Sequence, residues 1–147
     1  MVGGLDSEPN YVSGMQKKVT VNGLRSIVQF HGLLDNEDLV AKLKTAQVLA
    51  VPSSYEGFGI AYLEGMAFGL PAIGTNAGAA SEIITDGENG FLIEPDDAKT
   101  LSEKLSLLAN DRDLLAHMSV MALEHYRQQP TWNERAGRIR DFLLSMI

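Results

Sequence analysis

Short apolar runs alternate with longer amphipathic segments along this chain, and the alternation predicts repeated strand–helix units. Four runs read as strands, at residues 26–31, 47–52, 71–76 and 90–95. Each is short, apolar on both faces and closed by Gly, Pro or Asn, the signature of buried parallel strands. Between them the apolar positions recur at helical spacing. Helices are predicted over 10–22, over 35–47 with Asp35 or Asn36 as cap, over 60–68 and over 78–85. Residues 96–110 open with acidic residues suited to a helix N-terminus, and two further helices follow at about 112–128 and 131–146. This order predicts an α/β fold with a doubly wound parallel sheet flanked by helices. Ligands of such sheets bind beyond the carboxyl ends of the strands, which here are the loops 31–35, 52–59, 74–79 and 94–96.

The second of these loops carries the candidate chemistry. In the stretch from Pro52 to Gly65, Glu56 lies in the loop and Glu64 inside the following helix. A continuous helix would set them about 80° and ~12 Å apart, but the loop releases that constraint, so both carboxylates can face one cleft. Carboxylates accept hydrogen bonds from pairs of hydroxyls. Gly57 and Gly59 permit close backbone approach, and the helix start behind them offers free N–H groups and the positive end of the helix dipole, a place for an anion. Phosphate at one end and hydroxyls between carboxylates describe a nucleotide sugar. The plainer alternative is a solvated loop glutamate and a helix glutamate on an outer face. Against it stands the thin polar face of that helix, where Glu64 has Ile60, Ala61, Leu63, Met66, Ala67 and Phe68 for company, because a buried acid is rarely left unpaired.

Composition narrows the classes further. The 147 residues suit one domain over 1–147, with 45 % apolar and 21 % charged residues. A net charge of -7 favours neither nucleic acid nor an anionic membrane. There is no Cys, hence no disulfide or thiolate metal site, and no run approaches the roughly 20 apolar residues of a membrane span. A soluble, cytoplasmic protein is expected. Tyr62 stands where a dinucleotide fingerprint wants glycine, so NAD is not supported. Phosphate-loop, zinc-protease and serine-elbow motifs are missing, and His31, His117 and His125 lack metal spacing. Met66, Met118 and Met121 read as core.

The run from Pro52 to Asn76 resembles the donor-binding core of the retaining GT-B glycosyltransferases of group 1, whose signature is two glutamates seven residues apart in a Glu-Gly-Phe-Gly setting. Residues 28–33, 78–83, 86–98 and the Trp-containing segment 131–137 are similar to further parts of that domain, so nearly the whole chain is covered. The resemblance implies a Rossmann-like C-terminal domain with its closing helix at about 131–146. It implies a hexosyl-type transferase that takes a nucleotide-diphosphate sugar and retains the anomeric configuration, without cofactor or metal. Glu56 would be the catalytic carboxylate, bonding hydroxyls of the donor sugar. Gly57, Phe58, Gly59 and Ile60 would line the donor through their backbone, and Glu64 would hold the ribose. The loop after Phe30 would lie near the base.

Two departures matter. The acceptor-binding N-terminal domain of the family is not in this sequence. Met1-Val2-Gly3-Gly4 resembles the end of the domain's second strand, so the first strand and its basic Arg/Lys loop have no counterpart. Lys17, Lys18 and Arg25 come too late to replace that loop. The expectation is an N-terminally truncated domain, inactive in isolation, that repairs its sheet by shifting a strand or by self-association. Peripheral membrane attachment would belong to the full-length parent. The rival readings are a non-catalytic nucleotide-sugar-binding or assembly module and, ranked lower, a GT-B-related nucleotide-sugar epimerase.

Overall fold

The computed structural model describes residues 1–5 and 8–146, and of Trp132 only the backbone. The chain divides into two compact units, residues 1–45 and 46–147. The first holds α1 (Pro9–Val21) and α2 (Asn36–Thr45). Pro9 opens α1 where its missing N–H costs nothing, and Asp35 caps α2 by accepting from the Asp38 N–H at 2.9 Å. Neither helix buries a residue, although Gly32 in the following segment is buried.

The predicted strand at 26–31 does not form. Its backbone runs beside the chain start, where the Met1 amine donates to Gln29 O at 2.6 Å and His31 N–H donates to Met1 O at 2.9 Å, but no ladder develops. The reason lies in exposure. Ile27 is 74 % exposed and Val28, Phe30 and His31 are no more than half-buried, so the run is not apolar on two covered faces as a buried parallel strand must be.

The second unit contains β1 (Leu49–Val51), α3 (Ile60–Ala67), β2 (Ala72–Thr75), α4 (Ala80–Ile83), β3 (Gly90–Ile93), α5 (Ala98–Asn110), α6 (Arg112–Gln128) and α7 (Trp132–Leu144). The three strands pair in parallel in the order β1-β2-β3. β2 is central and buried at every position. Its residues alternate between two cores. Ala72 joins Tyr62 and Met66 of α3 and Ala80 and Ile83 of α4 on one face. Ile73 joins Phe91, Ile93, Leu108 of α5 and Leu115 and Met118 of α6 on the other. Helices thus cover both faces of the sheet, as an all-parallel sheet requires. The methionine assignments hold for Met66 and Met118, which are fully covered, while Met121 is half-buried.

The helix starts are where short polar side chains place them. Asp97 accepts from Thr100 N–H (2.9 Å) and Thr100 hydroxyl (2.6 Å), and Asp111 accepts from Leu114 N–H (2.9 Å). Thr131 and Glu134 form a reciprocal capping box at α7. The hydrogen bonds from Thr100 hold the Asp97 carboxyl below its ordinary range, and those from Thr131 do the same for Glu134.

Two outcomes are expected. The capping contribution of Asp97 and Glu134 is fully present above the ordinary unfolded carboxylate pKa of about 4 and is lost as pH falls through their lowered folded values. Carboxyl-carbon NMR titration should give both midpoints below free-carboxylate values, and ordinary midpoints would contradict the caps. Ile73→Ala should cost about 2–5 kcal/mol in urea unfolding, whereas Ile27→Ala should change stability by less than about 0.5 kcal/mol. A large effect at Ile27 would restore the strand at 26–31.

Candidate functional site

The loop between β1 and α3 lies at the carboxyl end of the sheet and is tied down from several sides. Glu56 N–H donates to Ala77 O (3.0 Å), and Glu56 O accepts from Ala79 N–H (2.8 Å), a parallel bridge that brackets Gly78. A Cβ at Gly78 would stand 2.1 Å from Glu56 O, and φ there is +92°, so only glycine allows this approach. The buried Thr75 hydroxyl donates to Ser53 O at 2.7 Å, and the buried Tyr62 hydroxyl donates to Val51 O at 3.1 Å. Burial raises the Tyr62 phenol above its ordinary value. The negative charge of Glu56 adds to that, and the nearby Ser53 side chain opposes it.

The Glu56 side chain turns back onto the helix start. Its Oε1 accepts from Gly59 N–H at 2.9 Å and from Phe58 N–H at 3.2 Å. Gly59 is the N-cap residue, in the left-handed region at φ 70°, and carries no side chain to cap with. Glu56, three residues earlier, takes that role, and a carboxylate is well placed at the positive end of a helix dipole. The N–H groups of Ile60 and Ala61 have no protein partner among the described residues.

The predicted site residues are only partly brought together. Glu56, Phe58 and Gly59 are joined by the two hydrogen bonds, and Ile60 follows directly as the first residue of α3. Gly57 is exposed, with open space where a Cβ would stand, while Gly59 is buried. The Phe58 ring is 83 % exposed and the Ile60 side chain 60 %. Glu64 stands one turn beyond Ile60 on the same strip of α3 and is exposed. The expectation that an apolar helix would bury this acid is therefore corrected. α3 buries the side with Tyr62, Gly65 and Met66 and shows its Ile60–Ala61–Glu64 side to solvent, so Glu64 needs no buried partner.

Sequence reasoning flagged the loops after β2 and β3 but not the pair they form. Asn76 Nδ2 donates to Glu94 Oε1, and Asn76 N–H donates to Ile93 O at 2.9 Å. Each side chain belongs to the first residue after a buried strand, which is the signal that could have singled them out. No cluster of three or more His, Asp or Glu side chains among the described residues is placed to hold a metal ion, and none of the described helices is long and apolar enough to cross a membrane.

The family model for glycosyl transferases group 1 matches residues 1–125. The chain belongs to the group 1 glycosyltransferases. It is 38 % identical over 109 residues to an MMP alpha-(1->4)-mannosyltransferase of Mycolicibacterium hassiacum, a match covering 73 % of this chain and 26 % of that protein. It is 29 % identical over 128 residues to a D-inositol 3-phosphate glycosyltransferase of Streptomyces griseus, covering 87 % of this chain and 27 % of the relative. Among solved structures, Anabaena HepE in complex with UDP-glucose superposes with a TM-score of 0.87 at 27 % identity, over 98 % of this chain and 40 % of HepE. This glycosyltransferase chain thus spans about a quarter of the length of these two relatives. The Rossmann-like parallel sheet flanked by helices expected from the sequence is the observed fold.

The bridge at Gly78 is directly testable. Gly78→Ala should destabilise the second unit by about 1–3 kcal/mol or more, from backbone strain alone, and should accelerate amide exchange at Glu56 and Ala79. Unchanged exchange at both amides would mean that the approach tolerates a side chain.

Proposed function

We propose that the loop 52–59 and the start of α3 bind the nucleoside-diphosphate sugar donor of a retaining, hexosyl-type glycosyltransferase whose acceptor side lies in the longer parent protein. The observation that carries this reading is the Glu56 carboxylate sitting on the Phe58 and Gly59 N–H groups. Those donors accept an anion, and the glutamate fills that place itself. In the donor complex Glu56 swings away and frees the two N–H groups for the sugar and diphosphate. Its carboxylate then takes hydroxyls of the sugar. Glu64, exposed one turn along α3, holds the ribose hydroxyls, and Ile60 N–H joins the diphosphate contacts.

In the transfer step the bond from the anomeric carbon to the diphosphate oxygen breaks. The acceptor hydroxyl oxygen bonds to the anomeric carbon on the same face, and its proton passes to the departing diphosphate oxygen. The α3 dipole favours the departing negative charge. No metal takes part in this reading, so donor binding should survive EDTA. UDP-glucose, the ligand bound to HepE, is the first donor to try. Its membership of a transferase family also ranks the epimerase reading below transfer.

Amide NMR titration of the chain with UDP-, GDP- and ADP-sugars tests the proposal. Saturable shifts are expected at residues 56–64 with one of the three bases, weakened at least tenfold in Glu64→Ala. Glu56→Gln keeps an oxygen to cap α3 but removes its charge, and should alter the sugar-dependent shifts more than those given by the nucleotide alone. In the full-length parent, Glu56→Ala and Glu64→Ala should each lose most transfer. Near-normal transfer in both would sink the assignment, and donor binding without transfer in the complete parent would favour a binding module.

A further inference from the structure

Asn76 and Glu94, the first residues after β2 and β3, take no part in the donor contacts proposed above. The end of β3 grips Asn76 twice. Its N–H donates to Ile93 O at 2.9 Å, and its Nδ2 donates to Glu94 Oε1. Glu94 is itself held on a tight turn. Its carbonyl accepts from Asp97 N–H at 3.3 Å, Asp96 between them stands in the left-handed region at φ 61°, and Asp97 caps α5 through Thr100. A residue other than glycine is uncommon in that region and persists where its surroundings hold it there.

The segment that follows Asn76 is the one to which Glu56 is bonded. Ala77 O accepts from Glu56 N–H at 3.0 Å, and Ala79 N–H donates to Glu56 O at 2.8 Å. β1 and β3 are not neighbours in the sheet, so residues 76–79 carry the link from the turn at 94–97 to the donor loop. Both side chains of the pair are exposed, unlike Thr75, whose buried hydroxyl donates to Ser53 O. Water competes for an exposed hydrogen bond, so the pair adds little to global stability. A bond to a carboxylate can still narrow the paths open to a short segment. Here that segment contains Gly78, where a Cβ would stand 2.1 Å from Glu56 O, and an approach so close tolerates little displacement.

We propose that Asn76 and Glu94 are positioning residues for the donor loop. Glu94, fixed by the turn before α5, holds Asn76, and Asn76 sets residues 76–79 so that the Glu56 backbone keeps its place before α3. The pair acts through Glu56 and not on the donor itself. Its consequence for donor binding rests on the function proposed above, whereas its effect on the loop does not.

Glu94→Ala and Asn76→Ala remove the side-chain bond, and Glu94→Gln keeps an oxygen to accept it. In the labelled chain both alanine variants should speed amide exchange at Glu56 and Ala79 about five- to tenfold, with the urea midpoint and exchange within α6 unchanged. The double alanine variant should be no faster than either single one, since the two residues share one bond. Glu94→Gln should restore slow exchange. UDP-, GDP- and ADP-glucose are the binding probes. Whichever of them shifts the unaltered chain should bind more weakly by a similar factor in the alanine variants and recover in Glu94→Gln. Unchanged exchange at both amides overturns the inference, as does additive acceleration in the double variant. A urea midpoint lowered enough to account for the faster exchange overturns it too, because the pair would then be an ordinary structural contact. Faster exchange with unaltered affinity leaves the donor reading standing and removes the positioning role. If the amides respond but no nucleotide sugar binds the unaltered chain, the donor reading fails and takes the positioning role with it.

Discussion

The close backbone approach at Gly78 is the constraint on which the site depends. Glu56 gives its N–H and its carbonyl to the segment after β2, and that bridge fixes where the loop after β1 can go. Once the backbone of Glu56 is fixed, its side chain is within reach of the N–H groups at residues 58 and 59, two and three positions along. The same bridge sets where α3 begins, because Gly59 must turn through positive φ to start a helix whose buried side meets the sheet. One hydrogen-bonded residue pair thus couples strand end, loop path and helix start. A side chain at Gly78 would separate all three.

The packing beneath explains why this geometry is held firmly. β2 is covered on both faces, and its alternation sends Ala72 and Ile73 into different cores. Tyr62 spans the boundary between packing and site: its ring is in the core under α3, and its hydroxyl bonds to Val51 O at the end of β1. α6 contributes Ala122 to one core and Leu115 and Met118 to the other, so it links the two cores. A loop whose two ends are anchored in such packing loses little further entropy on binding a ligand.

Much of this was legible in the chain. The strands at 49–51, 72–75 and 90–93 lie inside the predicted runs, and all seven helices fall within about two residues of their expected bounds, because apolar period, glycine stops and acidic caps agree there. Residues 26–31 were misread because apolar content does not say whether a partner lies on both sides, and at Ile27 none does. Glu64 was misjudged for a related reason. Composition makes α3 look buried all round, but only the tertiary structure shows that Ile60 and Ala61 stay exposed beside it. The carboxylate on the Phe58 and Gly59 N–H groups was not legible at all, since both partners had been assigned to the ligand and not to each other.

That last mismatch carries a physical lesson. The Oε1 that caps α3 cannot at the same time leave those N–H groups free for a ligand. A donor bound as proposed would exchange one set of charge-assisted hydrogen bonds for another, and the net gain would be the difference between the two, which is smaller than either. The exchange has a compensating use. The glutamate satisfies donors that would otherwise depend on water, and it ties the loop to the start of α3. In the proposed donor complex, the same movement that opens the helix N-terminus would deliver the carboxylate toward the sugar hydroxyls. On that proposal, loop order before binding and carboxylate delivery during binding would both come from a single rotation of one side chain, on a backbone tied down by the Gly78 bridge.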